Sequence, residues 1–216
     1  MAIWLDKTFF QLDCAAFNMV HGWAKFAGGF LTPFFNFISL LGKGGYFFII
    51  LGVVLLLFRK TRASGVAVLL AMAVGGIFTN VILKNAVARI RPYVNSEEYK
   101  LMWEFVGAHK EKSFSFPSGH TNVATNAIIS LVLSLKNKKS AWLLIFPVFM
   151  GLSRIYLVVH YLTDVIGGLI VGGVSGLLGY LLAKAIFRLL ENNVEKKFVK
   201  SILEFDIIER LKKDNN

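Results

Sequence analysis

The chain has 216 residues, of which 56% are hydrophobic, and its formal net charge is +11 at pH 7. This hydrophobic fraction exceeds what a soluble domain of this length needs to fill one core. The apolar runs are long enough for membrane helices, and the alternating ten-residue segments of a membrane barrel are not apparent. Composition therefore excludes an ordinary soluble domain and predicts an all-α integral membrane protein.

Much of the positive charge lies in two short connections between apolar runs. One contains Arg59, Lys60 and Arg62, and the other contains Lys136, Lys138 and Lys139. Basic clusters of this kind mark the cytoplasmic loops of membrane proteins. A nucleic-acid groove would instead need basic and aromatic residues interleaved in water-facing segments, so no nucleic-acid partner is expected.

The N-terminal segment lacks the basic start, compact apolar run and small-residue cleavage site of a signal peptide. We expect residues 1–20 to be retained, as a helix lying on the membrane. Cys14 is the only cysteine, which excludes an intramolecular disulfide and a multi-cysteine zinc site.

In chain order, the apolar runs predict a bundle of about six transmembrane helices. They cover residues 22–41, 44–58, 64–84, 119–135, 140–158 and 163–188. Gly42, Gly44 and Gly45 are expected to form the first turn. If the two basic clusters are cytoplasmic, both termini are cytoplasmic too, and residues 85–118 and 159–163 share the outer face.

These spans predict a six-span membrane domain over residues 1–190 and a cytoplasmic tail over residues 191–216. The tail has six acidic and six basic residues, with an apolar stripe at helical spacing that suits a membrane surface or a partner. The long connection 93–116 contains aromatic residues that suit an interfacial hairpin or short helix, for which gating a lipid and anchoring to the membrane both remain open.

Three polar blocks interrupt this apolar sequence. In the first, Lys84 and Arg91 are two helical turns apart, and Pro92 ends the helix. Basic residues that merely reach toward water at a span end would give the same pattern.

The second block is Pro117-Ser118-Gly119-His120, directly before the fourth span. The unpaired N–H groups of a helix start bind anions, Gly119 permits close approach, and Ser118 adds a hydroxyl donor. Alternatively, the block only starts the helix, and His120 faces lipid headgroups.

The third block contains Ser153, Arg154, His160 and Asp164. His160 and Asp164 are four residues apart, so one helical face brings the carboxylate to the imidazole. The carboxylate then holds one ring nitrogen as N–H and leaves the other free to attack. The same pair also fits a purely structural tie at a helix end.

Together the blocks put three cations, two histidines and a carboxylate at one membrane surface, where such groups are costly without a function. Up to three positive charges match a phosphomonoester that carries close to two negative ones. Position for position, the blocks resemble the three-part signature of the type 2 phosphatidic acid phosphatase superfamily. The resemblance covers about residues 22–188 and is greatest to the membrane branch that contains phosphatidylglycerophosphatase B and undecaprenyl pyrophosphate phosphatases.

The resemblance implies that His160 attacks phosphorus to give a phosphohistidine, that Asp164 orients its imidazole, and that His120 moves protons. The groups implied to hold the phosphate oxygens are Lys84, Arg91, Ser118, Gly119 and Arg154. No metal or other cofactor enters this scheme, and the sequence shows no acidic cluster suited to magnesium.

The implied substrate is a lipid phosphate, with phosphatidylglycerol phosphate preferred over phosphatidic acid and a polyprenyl diphosphate. The implied location is the inner (cytoplasmic) cell membrane, with the site on its extracytoplasmic face. Two alternatives remain: a vanadate-dependent haloperoxidase, against which the spans argue, and a non-catalytic lipid-binding or transport protein. The sequence does not indicate an oligomeric state.

Overall fold

A computed structural model describes residues 1–135 and 137–214, and every regular element in these ranges is helical. The α-helices are α1 (Ala2–Thr8), α2 (Phe10–Phe26), α3 (Thr32–Gly42), α4 (Tyr46–Leu56), α5 (Arg62–Gly76), α6 (Lys84–Val87), α7 (Pro92–Asn95), α8 (Glu97–Phe105), α9 (Gly119–Leu135), α10 (Ile145–Tyr156), α11 (Leu162–Glu191), α12 (Lys197–Glu204) and α13 (Ile207–Asp214). Wide π-helical turns over Ile77–Leu83 join α5 to α6, and 3₁₀ turns cover Lys43–Gly45 and Lys138–Leu144. The predicted all-α class is confirmed for these residues.

Three helical stretches are long and apolar enough to cross a membrane, namely Thr32–Leu56, Arg62–Asn95 and Leu162–Glu191. In the most apolar part of each, between 28% and 39% of the residues are buried inside the protein. The remaining side chains form a broad apolar surface of the kind that lipid covers. The number of six spans stays a prediction.

The first predicted span is wrong as a continuous helix. α2 ends at Phe26, and the chain then turns through Gly28 and Gly29, which have φ values of 54° and 77°. α3 starts anew with Pro33 in its first turn. Positive φ is readily adopted by glycine, and proline suits a helix start, so two helices replace the span 22–41.

The later predictions agree better with the helices. α9 has the predicted bounds 119–135, and the predicted span 163–188 lies within α11. The predicted glycine turn is present, with φ values of 60° at Gly44 and 70° at Gly45. Lys136 of the second basic cluster and residues 215–216 of the predicted tail lie outside the described residues.

Small residues let α11 pack closely against α5 and α9. A β-carbon on Gly172 would come within 2.6 Å of the Thr125 Cβ atom, and one on Gly179 would come within 2.5 Å of the Ala71 backbone nitrogen. Backbones therefore approach as they do in other membrane helix pairs. The apolar core of this bundle is formed mainly by Ile38, Phe48, Val68, Ala124, Ala127, Ile128, Leu131 and Met150.

A second apolar cluster lies at the end of the bundle where α10 gives way to α11. It joins Phe17 of α2, Tyr99 of α8 and Tyr161, whose rings contact one another. The N-terminal helices and the helices of the long connection thus pack together. The prediction of a short helix in residues 93–116 is confirmed by α8.

The two termini contact opposite ends of the helix that runs from Arg62 to Val87. Asp6 bonds to Arg89, just beyond one end, whereas Asp206 accepts a hydrogen bond from the Arg59 backbone N–H near the other. At 1.5 Å per residue this helix is about 39 Å long. The sides of the membrane on which the two termini lie stay a prediction.

Gly179→Ala tests the close packing of α11. We expect it to destabilise the protein by about 1–3 kcal/mol, since the new methyl group meets the α5 backbone rather than a movable side chain. Thermal unfolding in detergent measures the effect. The matched control is Gly173→Ala, where the nearest contact is Ile129 Cδ1 at 3.8 Å, and equal melting temperatures for the two variants would contradict the packing argument.

Candidate functional site

The three polar blocks meet at the end of the bundle where the N-terminal helices pack. Together with Glu111 and Ser113 they line a cavity of about 520 Å³, to which the blocks contribute Lys84, Arg91, Gly119, His120 and His160. These residues come from α6, from the connection after it, from the first turn of α9 and from the connection before α11. The predicted convergence of the blocks is therefore present in the fold.

His160 and Asp164 form the predicted pair. The Nδ1 atom of His160 lies 3.4 Å from Oδ2 of Asp164, and its Nε2 atom lies 3.3 Å from Nη1 of Arg91. The carboxylate is fully buried and also accepts hydrogen bonds from the Tyr161 backbone N–H at 3.0 Å and the Ser115 hydroxyl at 2.5 Å. Asp164 is thus fixed on the Nδ1 side of the ring, which leaves Nε2 on the opposite side, facing Arg91.

The environment of His160 favours a neutral ring. Burial, followed by the positive charges of Arg91 and two further cations, lowers the pKa of this imidazole well below its ordinary value. A neutral imidazole with a proton on Nδ1 has a lone pair on Nε2. That lone pair is the feature that a nucleophile requires.

Arg89 holds Asp164 from the other side, and sequence analysis assigned this arginine no role. Its Nη1 atom donates to Asp164 Oδ1 at 2.7 Å, while Nε and Nη2 donate to Asp6 and Asp13, each at 2.8 Å. The guanidinium also lies 3.8 Å from the Tyr161 ring centroid, and the residue is 1% exposed. The sequence signal for a buried cation is the pair Asp6 and Asp13, two acidic residues seven apart in a mainly apolar N-terminal segment.

Two cations on the cavity wall share a partner that the sequence did not reveal. Lys84 donates to the Ser113 hydroxyl at 2.7 Å, and Arg91 donates from Nε to the Ser113 carbonyl at 2.7 Å. Arg91 also donates from Nη1 to the Val159 carbonyl at 2.8 Å. Ser113 thereby fixes both cations with neutral oxygen atoms, and neither cation forms an ion pair with a described carboxylate.

Ser118 does not lie on the cavity wall. It is fully buried, its backbone N–H donates to the Asp164 carbonyl at 3.0 Å, and its hydroxyl oxygen accepts from the Thr121 hydroxyl at 2.9 Å. Gly119 does line the cavity, and a β-carbon placed on it would lie 3.9 Å from the Lys84 ammonium nitrogen. Of this pair, only Gly119 is directly accessible to an anion in the cavity.

Arg154 lines a neighbouring cavity of about 640 Å³. Its Nη2 atom donates to Glu111 at 2.5 Å, its Nη1 atom donates to the Ser39 hydroxyl, and its buried Nε has no partner among residues 1–135 and 137–214. Glu111 and His120 line both cavities. Arg154 is therefore close to the first cavity, but it forms an ion pair with Glu111.

His120 stands between the two cavities. Its ring lies near Gly42, where a β-carbon would approach His120 Cδ2 to 3.0 Å. In the part of the chain that the structure describes, neither ring nitrogen forms a hydrogen bond, so both remain available to a ligand.

Comparison with known proteins agrees with this arrangement. Residues 64–188 match the family model of the PAP2 superfamily. The chain belongs to the PAP2 superfamily. This confirms the resemblance inferred from the three blocks, and it assigns the chain to a family of membrane lipid phosphatases.

Two curated relatives within this superfamily differ in the substrates they are named for. The chain is 32% identical to phosphatidylglycerophosphatase B of Bacillus subtilis over 68% of its own length and 64% of the relative. It is 29% identical to the undecaprenyl-diphosphatase of Sulfolobus acidocaldarius over 63% of each chain. The chain thus spans just under two thirds of the length of these curated PAP2 relatives.

A solved PAP2 structure has the same fold. The crystal structure of a transmembrane PAP2 type phosphatidylglycerolphosphate phosphatase from Bacillus subtilis superposes with a TM-score of 0.55 and 24% identity. The match covers 86% of this chain and 96% of the other. The apolar helices and these relatives together indicate a membrane protein.

Arg89→Lys tests whether the arginine positions Asp164. One ammonium group cannot reach three carboxylates in the directions of a planar guanidinium, so Asp164 and His160 should shift. We expect kcat of phosphate release from a lipid phosphate to fall by about 10²-fold with a much smaller change in KM. Measurement below the melting temperature of the variant separates this effect from unfolding, and a change confined to KM would contradict it.

Proposed function

We propose that this chain is a lipid phosphatase that hydrolyses the terminal phosphate of a membrane lipid through a phosphohistidine intermediate. The observation that carries the proposal is the cavity itself, which joins a polar end with two cations to an apolar end. The polar end holds Lys84, Arg91, Glu111, His120 and His160, and the apolar end is lined by Ile49, Leu69, Met72, Ala73 and Val123. A lipid phosphate matches these two ends with its anionic phosphate group and its apolar chains.

The apolar end indicates where the lipid chains lie. Its residues belong to α4, α5 and α9, and six of the eleven residues of α4 are exposed. A headgroup can therefore reach the cations while acyl or prenyl chains stay between helices. A water-soluble phosphate ester would leave this apolar wall without a partner.

The proposed first step is attack by His160 Nε2 on phosphorus. A P–N bond forms as the bond from phosphorus to the lipid oxygen breaks, and Asp164 stabilises the positive charge that develops on the imidazole. His120 gives a proton to the departing oxygen. In the second step His120 removes a proton from water, which attacks phosphorus and breaks the P–N bond.

The proposed phosphate clamp uses cations from separate elements. Lys84 and Arg91 face the cavity with only neutral partners, and the Gly119 amide lies at the start of α9. Arg154 would join them once it is released from Glu111. Ser118 would act from behind by fixing the α9 start rather than through its hydroxyl. These donors stabilise charge on the non-bridging oxygens in both steps.

Phosphatidylglycerol phosphate is the proposed preferred substrate, with phosphatidylglycerol as product. The similarity to phosphatidylglycerophosphatase B supports this choice. Undecaprenyl pyrophosphate is an alternative supported by the second relative, and phosphatidic acid is a third. All three offer a terminal phosphate to the same cations.

A non-catalytic lipid-binding or transport protein is the alternative of another class. Such a protein needs the cations and the apolar wall. It has no use for a buried carboxylate that holds Nδ1 of His160 and leaves Nε2 beside an arginine. The paired imidazole therefore favours the enzyme.

Phosphate release from lipid phosphates in detergent micelles tests the catalytic proposal. We expect release to continue in EDTA, to be inhibited by vanadate, and to fall by at least about 10³-fold in His160→Ala, since no other group replaces the nucleophile. His21→Ala is a matched control, because His21 packs against Phe105 and does not line the cavity. Full turnover by His160→Ala would overturn the mechanism.

The membrane arrangement belongs to the same proposal. Residues 1–190 form the membrane domain, the site end faces outward, and residues 191–216 form a cytoplasmic tail. The N-terminus is now proposed to lie outside, because Asp6 and Asp13 bond to Arg89 at the site end. The basic residues near Arg62 lie at the opposite end, in keeping with a cytoplasmic position.

Labelling of single cysteines tests this topology in intact cells. In a Cys14→Ser background, we expect an impermeant thiol reagent to modify Lys7→Cys and Glu98→Cys from outside, but Lys138→Cys only after the membrane is opened. Both outer positions are exposed in the folded protein. Modification of Lys138→Cys in intact cells would invert the arrangement, and protection of Lys7→Cys alone would return the N-terminus to the inside.

A further inference from the structure

The second cavity lies beside the first, and of its lining residues only His120 and Arg154 have a task in the proposed reaction. It has a volume of about 640 Å³, and its charged lining consists of Lys43, Lys110, Glu111 and Arg154. Lys43 comes from the glycine turn between α3 and α4, whereas Lys110 and Glu111 come from the connection before α9. Residues distant in sequence therefore bring three cations and one carboxylate to this cavity.

Arg154 contributes a buried donor without a partner. The residue is 2% exposed, and within the described ranges nothing accepts from its Nε–H group. Buried polar groups in folded proteins are almost always paired, so an unpaired N–H in a residue that lines a cavity indicates a missing acceptor. A group with several anionic oxygen atoms supplies such acceptors.

The charge balance of the second cavity also favours an anionic ligand. Glu111 compensates one of the three cations, through its bond to Arg154. Two positive charges remain without a carboxylate on the lining. An anion that enters this cavity therefore gains charge-assisted hydrogen bonds without first having to displace Glu111.

The position of His120 connects the two cavities. Gly44, Glu111 and His120 line both of them. In the proposed reaction His120 protonates the oxygen that leaves phosphorus, so that oxygen lies against the wall that the cavities share. The part of the lipid headgroup beyond the leaving oxygen is then directed toward the second cavity.

We propose that the second cavity is a subsite for a second anionic phosphorus group of the substrate, held by Lys43 and Lys110 together with Arg154, which would contact both this group and the phosphate that is removed. The subsite selects lipids that carry another phosphate close to the one that is removed. This inference rests on the proposed function, because it takes the first cavity as the place of phosphate removal.

The subsite separates the candidate substrates by chemistry. Phosphatidylglycerol phosphate carries a phosphodiester one glycerol away from the terminal phosphate, and a polyprenyl diphosphate carries a second phosphate on the leaving oxygen. Phosphatidic acid carries uncharged ester groups instead. The first two gain contacts with Lys43, whereas phosphatidic acid gains none.

Lys43→Gln tests the subsite on the full chain in mixed micelles. We expect kcat/KM to fall by about tenfold for phosphatidylglycerol phosphate and for the polyprenyl diphosphate, since each loses a charge-assisted hydrogen bond to its second phosphorus group. The value for phosphatidic acid should not change. The double variant with Lys110→Gln should enlarge the loss for the same lipids only.

Lys100→Gln is the matched control. It removes the same charge from an exposed position on α8, where Lys100 pairs with Glu97 and lines neither cavity. Its kcat/KM should equal that of the wild type for all lipids. The lipid that loses most in Lys43→Gln identifies which second phosphate the subsite holds.

Equal losses for all three lipids in Lys43→Gln, or no loss for any, would overturn the subsite. A wild-type protein that prefers phosphatidic acid to both other lipids would also overturn it, while the proposed phosphatase function stands. Absence of phosphate release from every lipid by the wild type is a different result, because it overturns the proposed function itself.

Discussion

The bonds of one buried arginine connect the reacting group to the N-terminal helices. Arg89 donates to Asp6 of α1, Asp13 of α2 and Asp164 of α11, and it is almost completely buried. Loss of one partner from such a cluster leaves a charge without compensation in an apolar surrounding, which is strongly destabilising. Because Asp164 also holds His160, the first 13 residues help to set the position of the proposed nucleophile, although they precede the region that defines the family.

Close helix packing sets the distances between the remaining parts of the site. Lys84, Gly119, Arg154 and His160 lie at or just beyond the ends of different helices, so the separations of the helix axes fix how far apart they are. Glycines on α11 allow its backbone to approach α5 and α9. The site thus depends on glycine positions deep in the bundle, which themselves have no side chain to offer a substrate.

The sequence could predict the site residues that lie next to recognisable features of the chain. Lys84, His120 and His160 each stand where an apolar run begins or ends, and their spacings match a family signature. The partners of Arg89 could not be predicted, because Asp6 and Asp13 are 83 and 76 residues away and only the fold brings them together.

Two other features were missed for physical reasons of their own. The turn at Gly28 and Gly29 lies within an apolar stretch, so hydropathy alone predicts one span where the chain forms two helices. The direction of the Ser118 hydroxyl depends on its bond with Thr121, which a helix-start motif does not specify. Hydropathy and motif spacing locate polar groups along the chain, but they do not determine which way a side chain points.

The electrostatics of the site indicate why it should bind a phosphate group. Arg154 has a carboxylate partner in Glu111, but Lys84 and Arg91 are held by hydroxyl and carbonyl oxygens that carry no net charge. These bonds orient the two cations without neutralising them. A phosphomonoester with close to two negative charges supplies the neutralising charge that the hydroxyl and carbonyl oxygens lack. Because the cations are oriented before the anion arrives, little of the binding energy is lost in reorganising the site.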